Sequence, residues 1–455
     1  MNYVGTRGFI GDKTFAGALL DGLAPDGGLY VPAEWPTPGF ALEGDYGTLT
    51  ENLLTLFGVD VLGTDAVKAA AARTKAAFLN NGTVPLTQLD DNLWMLELWH
   101  GPTLAFKDMA MQMMAPLTDA ALKQRNETLT LVTATSGDTG AAAVRAFAGS
   151  ERVRLVVFHP LGRVSPVQRL QMTTVEADNV MNVGVEGDFD DCQAIVKALL
   201  GDSSLKQNGL ISSVNSINWG RLLGQVPYYL AAAAASGADT PDFVVPTGNF
   251  GDAFAGWVAR RVGGNVGKLH AAVNQNDALN QAINDGRYIR RQAVESASVS
   301  MDVQAPSNFE RLVYEASGRN AATTKALFDT FGATGAVTLS PDLQSALKAE
   351  VTASTVSEAE TADTIAHAYK AYGQVICPHT AVSLSAALAR GTDRPQIVLS
   401  TAHAAKFPDF VTRALGFAPK VPDAIQALYG QPERITELKN DRAAALDLVK
   451  GFAET

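Results

Sequence analysis

Lys107 stands in the run Trp99-His100-Gly101-Pro102-Thr103-Leu104-Ala105-Phe106-Lys107-Asp108-Met109, among small and apolar neighbours, with Met111, Met113 and Met114 just beyond. An amine packed against a core loses hydration, its proton affinity falls, and the free base becomes a nucleophile able to hold an aldehyde cofactor as a Schiff base. By composition alone the simpler account is a lysine that lays its stem on apolar surface and keeps its ammonium in water. The methionines read as core packing rather than a cofactor box.

Two further segments could do chemistry. Ser136-Gly137-Asp138-Thr139-Gly140 follows the apolar run Leu129 to Ala134, and Pro246-Thr247-Gly248-Asn249-Phe250-Gly251-Asp252 follows Phe243-Val244-Val245. Each has the form strand, glycine- and hydroxyl-rich turn, helix, so backbone N–H groups at the helix start can bind phosphate or carboxylate. For any single turn of this kind ordinary N-capping is the commoner explanation. The glycines favour a ligand, because they let it approach the backbone closely.

Other signatures fail. Gly263-Gly264-Asn265-Val266-Gly267-Lys268-Leu269 misplaces the first glycine of a P-loop and has leucine where a magnesium-binding hydroxyl belongs. The Gly248 turn lacks the third glycine of a dinucleotide fingerprint. The six histidines show no metal-binding spacing, and Cys192 and Cys377 support neither a disulfide framework nor a cysteine zinc site, so no metal is expected.

The elements that must position these residues are alternating apolar strands and alanine-rich helices, which predict an α/β protein with doubly wound parallel sheets covered on both faces. Helices are expected over Ala141–Ala148 and Ala253–Arg261, and further strands at Gln396–Ser400, Val153–His159, Val180–Gly184 and Leu269–Val273. That is more strand than one small sheet needs, and two sheets facing a cleft would use it. The first ~95 residues, with turn clusters at Ala24–Gly28 and Glu34–Gly39, read as a separate, mostly helical unit. Ala353–Asp363 reads as a surface loop passing into a helix.

The chain has 455 residues, 47% hydrophobic and 18% charged, enough for large buried cores. Its net charge of −11 argues against a nucleic-acid or anionic-membrane surface, and its longest apolar run, Val226 to Ala235, is too short to span a bilayer. No secretory leader is evident, and two cysteines suit a reducing cytoplasm. Asn81-Gly82-Thr83 and Asn126-Glu127-Thr128 match the glycosylation pattern, and without secretion they carry no weight.

The segment His100-Gly101-Pro102-Thr103-Leu104-Ala105-Phe106-Lys107-Asp108 resembles the cofactor-lysine motif of the threonine synthase family. Tyr3–Gly8, Gly22–Pro32, Ala134–Gly140, Asn215-Ser216-Ile217-Asn218-Trp219-Gly220-Arg221, Pro246–Asp252 and Thr401-Ala402-His403-Ala404-Ala405-Lys406-Phe407 resemble other segments of that family, in order, along nearly the whole chain. The resemblance implies a fold type II pyridoxal-phosphate enzyme. An N-terminal unit would cover residues 1–95, a large cofactor-binding domain 96–128 and 236–455, and a smaller mobile domain 129–235. It implies conversion of O-phospho-L-homoserine and water to L-threonine and phosphate.

Lys107 would bind pyridoxal 5'-phosphate and act as general base and acid. Gly248, Asn249, Phe250, Gly251 and Asp252 would hold the cofactor phosphate, and Thr401 its pyridine nitrogen. Thr135, Ser136, Gly137, Asp138 and Thr139 would bind the substrate carboxylate, with Asp138 or a neighbour near the cofactor ring oxygen. Asn215, Ser216 and Arg221 would take the departing phosphate. The chain departs from the family pattern at Cys377, where aspartate is expected, and at Ala404, where proline is usual. A dehydratase or other lyase on the same fold, and an inactive homologue, are competing readings. The expected assembly is a monomer or homodimer.

Overall fold

Strand Asp242–Pro246 is buried along its whole length, with Phe243, Val244 and Val245 fully excluded from water, as a strand covered by helices on both faces must be. The computed structural model describes residues 1–39, 42, 44–78, 84–207, 210–391 and 393–454, so the Asn81-Gly82-Thr83 pattern lies outside the described residues. This strand belongs to a six-stranded sheet in the order Val351–Thr355, Leu269–Val273, Asp242–Pro246, Gln396–Ser400, Leu93–Glu97, Leu86–Asp90. All neighbours are parallel except the edge strand Leu86–Asp90, which forms a hairpin with Leu93–Glu97.

A second sheet, parallel throughout, runs in the order Thr436–Lys439, Val180–Glu186, Val153–Pro160, Leu129–Ala134, Leu210–Ser212. The expected strands are all present. The helices begin slightly ahead of their expected starts, at Asp138–Phe147 and Gly251–Arg261. The Val226–Ser236 helix is buried over Val226 to Leu230 and at Ala232 and Ala233, and no helix among the described residues is long and apolar enough to cross a membrane.

The sheets redraw the expected boundaries. Strands Leu86–Asp90 and Leu93–Glu97 already belong to the large sheet, so that unit starts ahead of residue 96. The C-terminal segment does not stay with the large unit. Strand Thr436–Lys439 extends the smaller sheet, and Ala445 and Val449 of helix Arg442–Glu454 are buried in one core cluster with Val132, Val156 and Val183. Four polar-flanked residues carried too little pattern to show this in advance. Ala353, expected in a loop, lies within strand Val351–Thr355, and the helix follows at Glu358–Tyr372.

The N-terminal unit pairs Tyr3–Gly5 with Tyr30–Pro32 and packs helices Phe15–Asp21, Tyr46–Leu56 and Thr64–Ala77. It is tied to the rest of the chain by Trp219, whose Nε1 donates to the Tyr3 hydroxyl at 3.1 Å, and by Glu310, which accepts from Thr6 and Arg7; within the unit, the Tyr3 hydroxyl donates to the Phe57 carbonyl.

Candidate active site between two sheets

The functional side chains gather because the chain leaves five parallel strands, from two sheets, at their C-terminal ends. Gln396–Ser400 and Leu93–Glu97 are neighbours in parallel register, so the segments that follow run side by side. Phe106 N donates to the Thr401 carbonyl at 2.8 Å, His403 N to the Leu104 carbonyl at 3.1 Å, and Ala105 bridges Ala402. The loop before Lys107 is tight. Leu104 holds a left-handed φ of 59°, and a Cβ on Gly101 would sit 2.6 Å from the Asp108 side chain. A non-glycine residue in that region stores on the order of 1–3 kcal/mol, borne by a loop that aims its lysine. Asp108 accepts from Thr103 N and Thr103 Oγ1, both at 2.8 Å, and burial pushes its carboxyl up to about 6.

Lys107 begins helix Lys107–Arg125, its side chain 12% exposed, with Nζ 4.8 Å from the Phe106 ring centroid and 3.4 Å from Asp138 Oδ2. Burial lowers its pKa; Asp138 opposes this, and Arg221 and Lys406 reinforce it. Met109, Met111, Met113 and Met114 are buried core, as expected.

Asp138 opens the helix after Leu129–Ala134. Burial alone would raise its pKa, but the Lys406 and Lys107 charges, with hydrogen bonds from Lys406 and Gln168, hold it far below the usual carboxylate range. Gly137 (φ 135°) is required here, since a Cβ would strike the Gln168 side chain at 2.3 Å. Thr135 is not free for a ligand in the way expected. Its Oγ1 accepts from Gly137 N and Gly140 N, both at 2.9 Å, so it caps its own helix. The half-buried Ser136 and Thr139 hydroxyls make no hydrogen bond among the described residues.

The second turn lies against the segment that contains Ser300. A Cβ on Gly248 would meet the Ser300 carbonyl oxygen at 2.4 Å, and Phe250 takes a left-handed φ of 62° at the start of Gly251–Arg261. Asn308 braces this turn, donating from both its backbone N and its Nδ2 to the Asn249 carbonyl at 3.1 Å. The Asp252 carboxyl is taken by tyrosines: Oδ1 accepts from Tyr229 at 2.8 Å and from Tyr228, and burial pushes it up to about 6. Asp252 therefore offers a backbone N–H to this site, while the tyrosines hold its Oδ1 and its buried Oδ2 has no partner among the described residues.

Arg221, on helix Trp219–Leu223, is 3% exposed, donates from Nη1 to the Val214 carbonyl at 2.9 Å and leaves Nε unpartnered. Burial pushes its guanidinium down to about 10. It has no carboxylate ion pair among the described residues. A buried cation in that state is costly, and an anionic ligand relieves the cost. Asn215 accepts from Thr133 Oγ1 at 3.2 Å, and the Ser216 carbonyl accepts from Asn308 Nδ2 at 3.2 Å.

Thr401 is 5% exposed and its hydroxyl is unpaired among the described residues. Cys377 proves to be the N-cap of Pro378–Arg390, its Sγ accepting from Thr380 N at 3.4 Å, with burial pushing the thiol up. An aspartate is the ordinary residue for such a cap. Sequence reasoning does not single out Lys406, although it stands within the Thr401–Phe407 segment, nor Gln168, His379, Asn308 and Arg311. A fully buried lysine has no local pattern to reveal it; only its partner, far along the chain, does.

Pyridoxal 5'-phosphate suits these residues: a desolvated amine for its aldehyde, a helix start and a glycine turn with no room for a side chain for its phosphate, and a hydroxyl-bearing Thr401 beside the lysine loop. In the described residues no group of acids, histidines or cysteines could hold a metal.

Family models match nearly the whole chain. A model described as "Pyridoxal-phosphate dependent enzyme" matches residues 78–400, "Threonine synthase N terminus" matches 2–67 and "Threonine synthase, C-terminal" matches 380–450. The chain is 40% identical to the threonine synthase of Pseudomonas aeruginosa, over 97% of each chain. Among solved structures it resembles the PLP-bound threonine synthase of Brucella melitensis, at 41% identity, 100% of each chain and a TM-score of 0.95. It also resembles the threonine synthase of yeast, at 32% identity, covering 99% of this chain and 98% of that one, with a TM-score of 0.91.

Proposed function

The chain belongs to the threonine synthase family, a group of pyridoxal-phosphate-dependent carbon–oxygen lyases that make L-threonine and phosphate from O-phospho-L-homoserine and water, and we propose how its own residues divide that work. Lys107 binds the cofactor aldehyde and then moves protons at the substrate's Cα and Cβ. Its lowered proton affinity suits both tasks, since burial makes the free base easier to reach than that of a lysine in water. The bound cofactor supplies an electron sink for the pair left when those protons depart.

Arg221 carries the assignment of a phosphate-bearing substrate. It is a buried guanidinium without a carboxylate partner, in the same electrostatic field as Lys107. Its planar fork matches phosphate oxygens, and Asn215 and Ser216 stand on the loop that leads into its helix. A dehydratase substrate would leave this cation uncompensated. Ser136, Thr139 and the N-terminal amides of Asp138–Phe147 take the substrate carboxylate and orient the Cα–H bond toward Lys107. Thr135 and Gly137 serve that turn by shaping it.

The amides of Gly248 to Asp252 would hold the cofactor phosphate, and the Thr401 hydroxyl would hydrogen-bond the pyridine nitrogen, a partner that brings no charge to it. We place the enzyme in the cytoplasm as a monomer or homodimer: both cysteines are free and buried, and the acidic charge suits no nucleic-acid partner. The test is to add pyridoxal 5'-phosphate and O-phospho-L-homoserine and assay both products. Equal phosphate and threonine are expected; phosphate without threonine would move the chain to another lyase.

A further inference from the structure

Lys406 is fully buried, on the short turn after strand Gln396–Ser400, and its Nζ lies 2.8 Å from Asp138 Oδ1 and 2.6 Å from the Thr103 carbonyl. Asp138 comes from the smaller sheet, Lys406 and Thr103 from the larger. The same Thr103 carbonyl also accepts from Gln171 Nε2 at 2.9 Å, so both sheets meet at one point. On its other side, Asp138 Oδ2 faces Lys107 Nζ at 3.4 Å, and Gln168 donates to Oδ1 at 2.9 Å. One carboxylate thus serves two buried ammonium groups. The nearby acid Asp108 is committed to Thr103, leaving Asp138 as the ion-pair partner of Lys406 among the described residues.

Burying a second lysine here is costly and adds nothing that a well-packed apolar side chain would not, so its charge needs a reason. We propose that Lys406 is a positioning residue for the reaction: it pins the Asp138 carboxylate and, by sharing it, weakens that carboxylate's hold on the Lys107 proton. This rests on Lys107 being the cofactor-binding lysine. Without Lys406, both Asp138 oxygens could turn to Lys107 undiluted, and the free amine would be harder to reach. The other charged or titratable groups around the cluster are Arg221 and Asp252 toward Lys107, His379 and Cys377 toward Asp138, and Asp108 and His403 toward Lys406. Burial pushes His379 down to about 3 and His403 down to about 4, so neither carries a charge that could replace Lys406 near neutral pH.

The experiment follows the rate at which cofactor-free protein captures pyridoxal 5'-phosphate, read as lysine-linked absorbance across pH, with no substrate present. In Lys406→Gln, which keeps a hydrogen-bond donor but no charge, the alkaline midpoint of capture should rise and the rate at neutral pH should fall by about tenfold. Lys406→Arg should restore most of it. Asp138→Asn, which removes the opposite charge, should shift the midpoint down; Lys406→Gln added to Asp138→Asn should move it little further, which decides the matter if the single glutamine variant does not fold. Unshifted midpoints, or shifts of the same sign in both variants, overturn the inference. Absence of lysine-linked absorbance in the unaltered protein would instead overturn the role of Lys107.

Discussion

Arg311 donates to the side-chain oxygen of Asn308, and the nitrogen of that same amide donates to the carbonyls of Ser216 and Asn249. Arg311 is fully buried, also holds the carbonyls of Tyr30 at 3.0 Å and Ile217 at 2.7 Å, and burial pushes it down to about 9. One amide therefore joins the turn assigned to the cofactor phosphate to the loop assigned to the leaving phosphate. Arg311 fixes that amide's orientation.

Asn308→Ala should fold yet loosen both turns together. Losing hydrogen bonds of about 1 kcal/mol each predicts roughly tenfold weaker cofactor binding with a raised substrate KM. Absorbance titration with cofactor and steady-state kinetics measure the two effects. A rise in one without the other would mean that the loops are positioned separately.

Lys107→Ala should fold, since the lysine contributes no ion pair except that with Asp138, and should lose lysine-linked absorbance and turnover. Threonine production by this variant would remove Lys107 from the chemistry.

Arg221→Ala should raise KM and slow phosphate release while leaving the cofactor absorbance intact. Its thermal behaviour separates ligand binding from packing. Inorganic phosphate should raise the Tm of the unaltered protein and leave that of the variant unmoved. Equal protection of both would place the phosphate elsewhere.

Asp252 gives a pH test in the cofactor-free protein. Burial raises its folded pKa from 3.8 to about 6, so the folded state binds the proton more tightly and this group's contribution to stability falls as pH rises between those values. Above pH 6 the penalty approaches about 3 kcal/mol at most. Asp252→Asn keeps an acceptor for Tyr228 and Tyr229 and should be more stable than the parent above pH 6, with the gain fading below pH 4. Denaturant melts at both ends of that range check it; a pH-independent difference would contradict the assignment.

Cys377→Ser should stabilise the chain by about 0.5–1 kcal/mol, because a hydroxyl caps the Thr380 N–H better than a thiol at 3.4 Å. Equilibrium unfolding measures it, and a loss of stability would show that the volume of sulfur matters more than the cap.

Sequence by itself determined what depends on neighbours along the chain. Buried-type runs made strands, the glycines at 137 and 248 marked turns with no space for a side chain, and the motif around Lys107 identified the family. Those signals are local, because strand burial, turn geometry and helix starts are set within a few residues. Tertiary structure decided everything that needs a partner from far away. It turned the Thr135 hydroxyl inward and gave the Asp252 carboxyl to two tyrosines. It carried Thr436–Lys439 back to the smaller sheet and set Lys406 opposite Asp138. Charges and hydrogen-bond donors take their meaning from whichever groups share their burial, and the packing of two sheets supplies those groups.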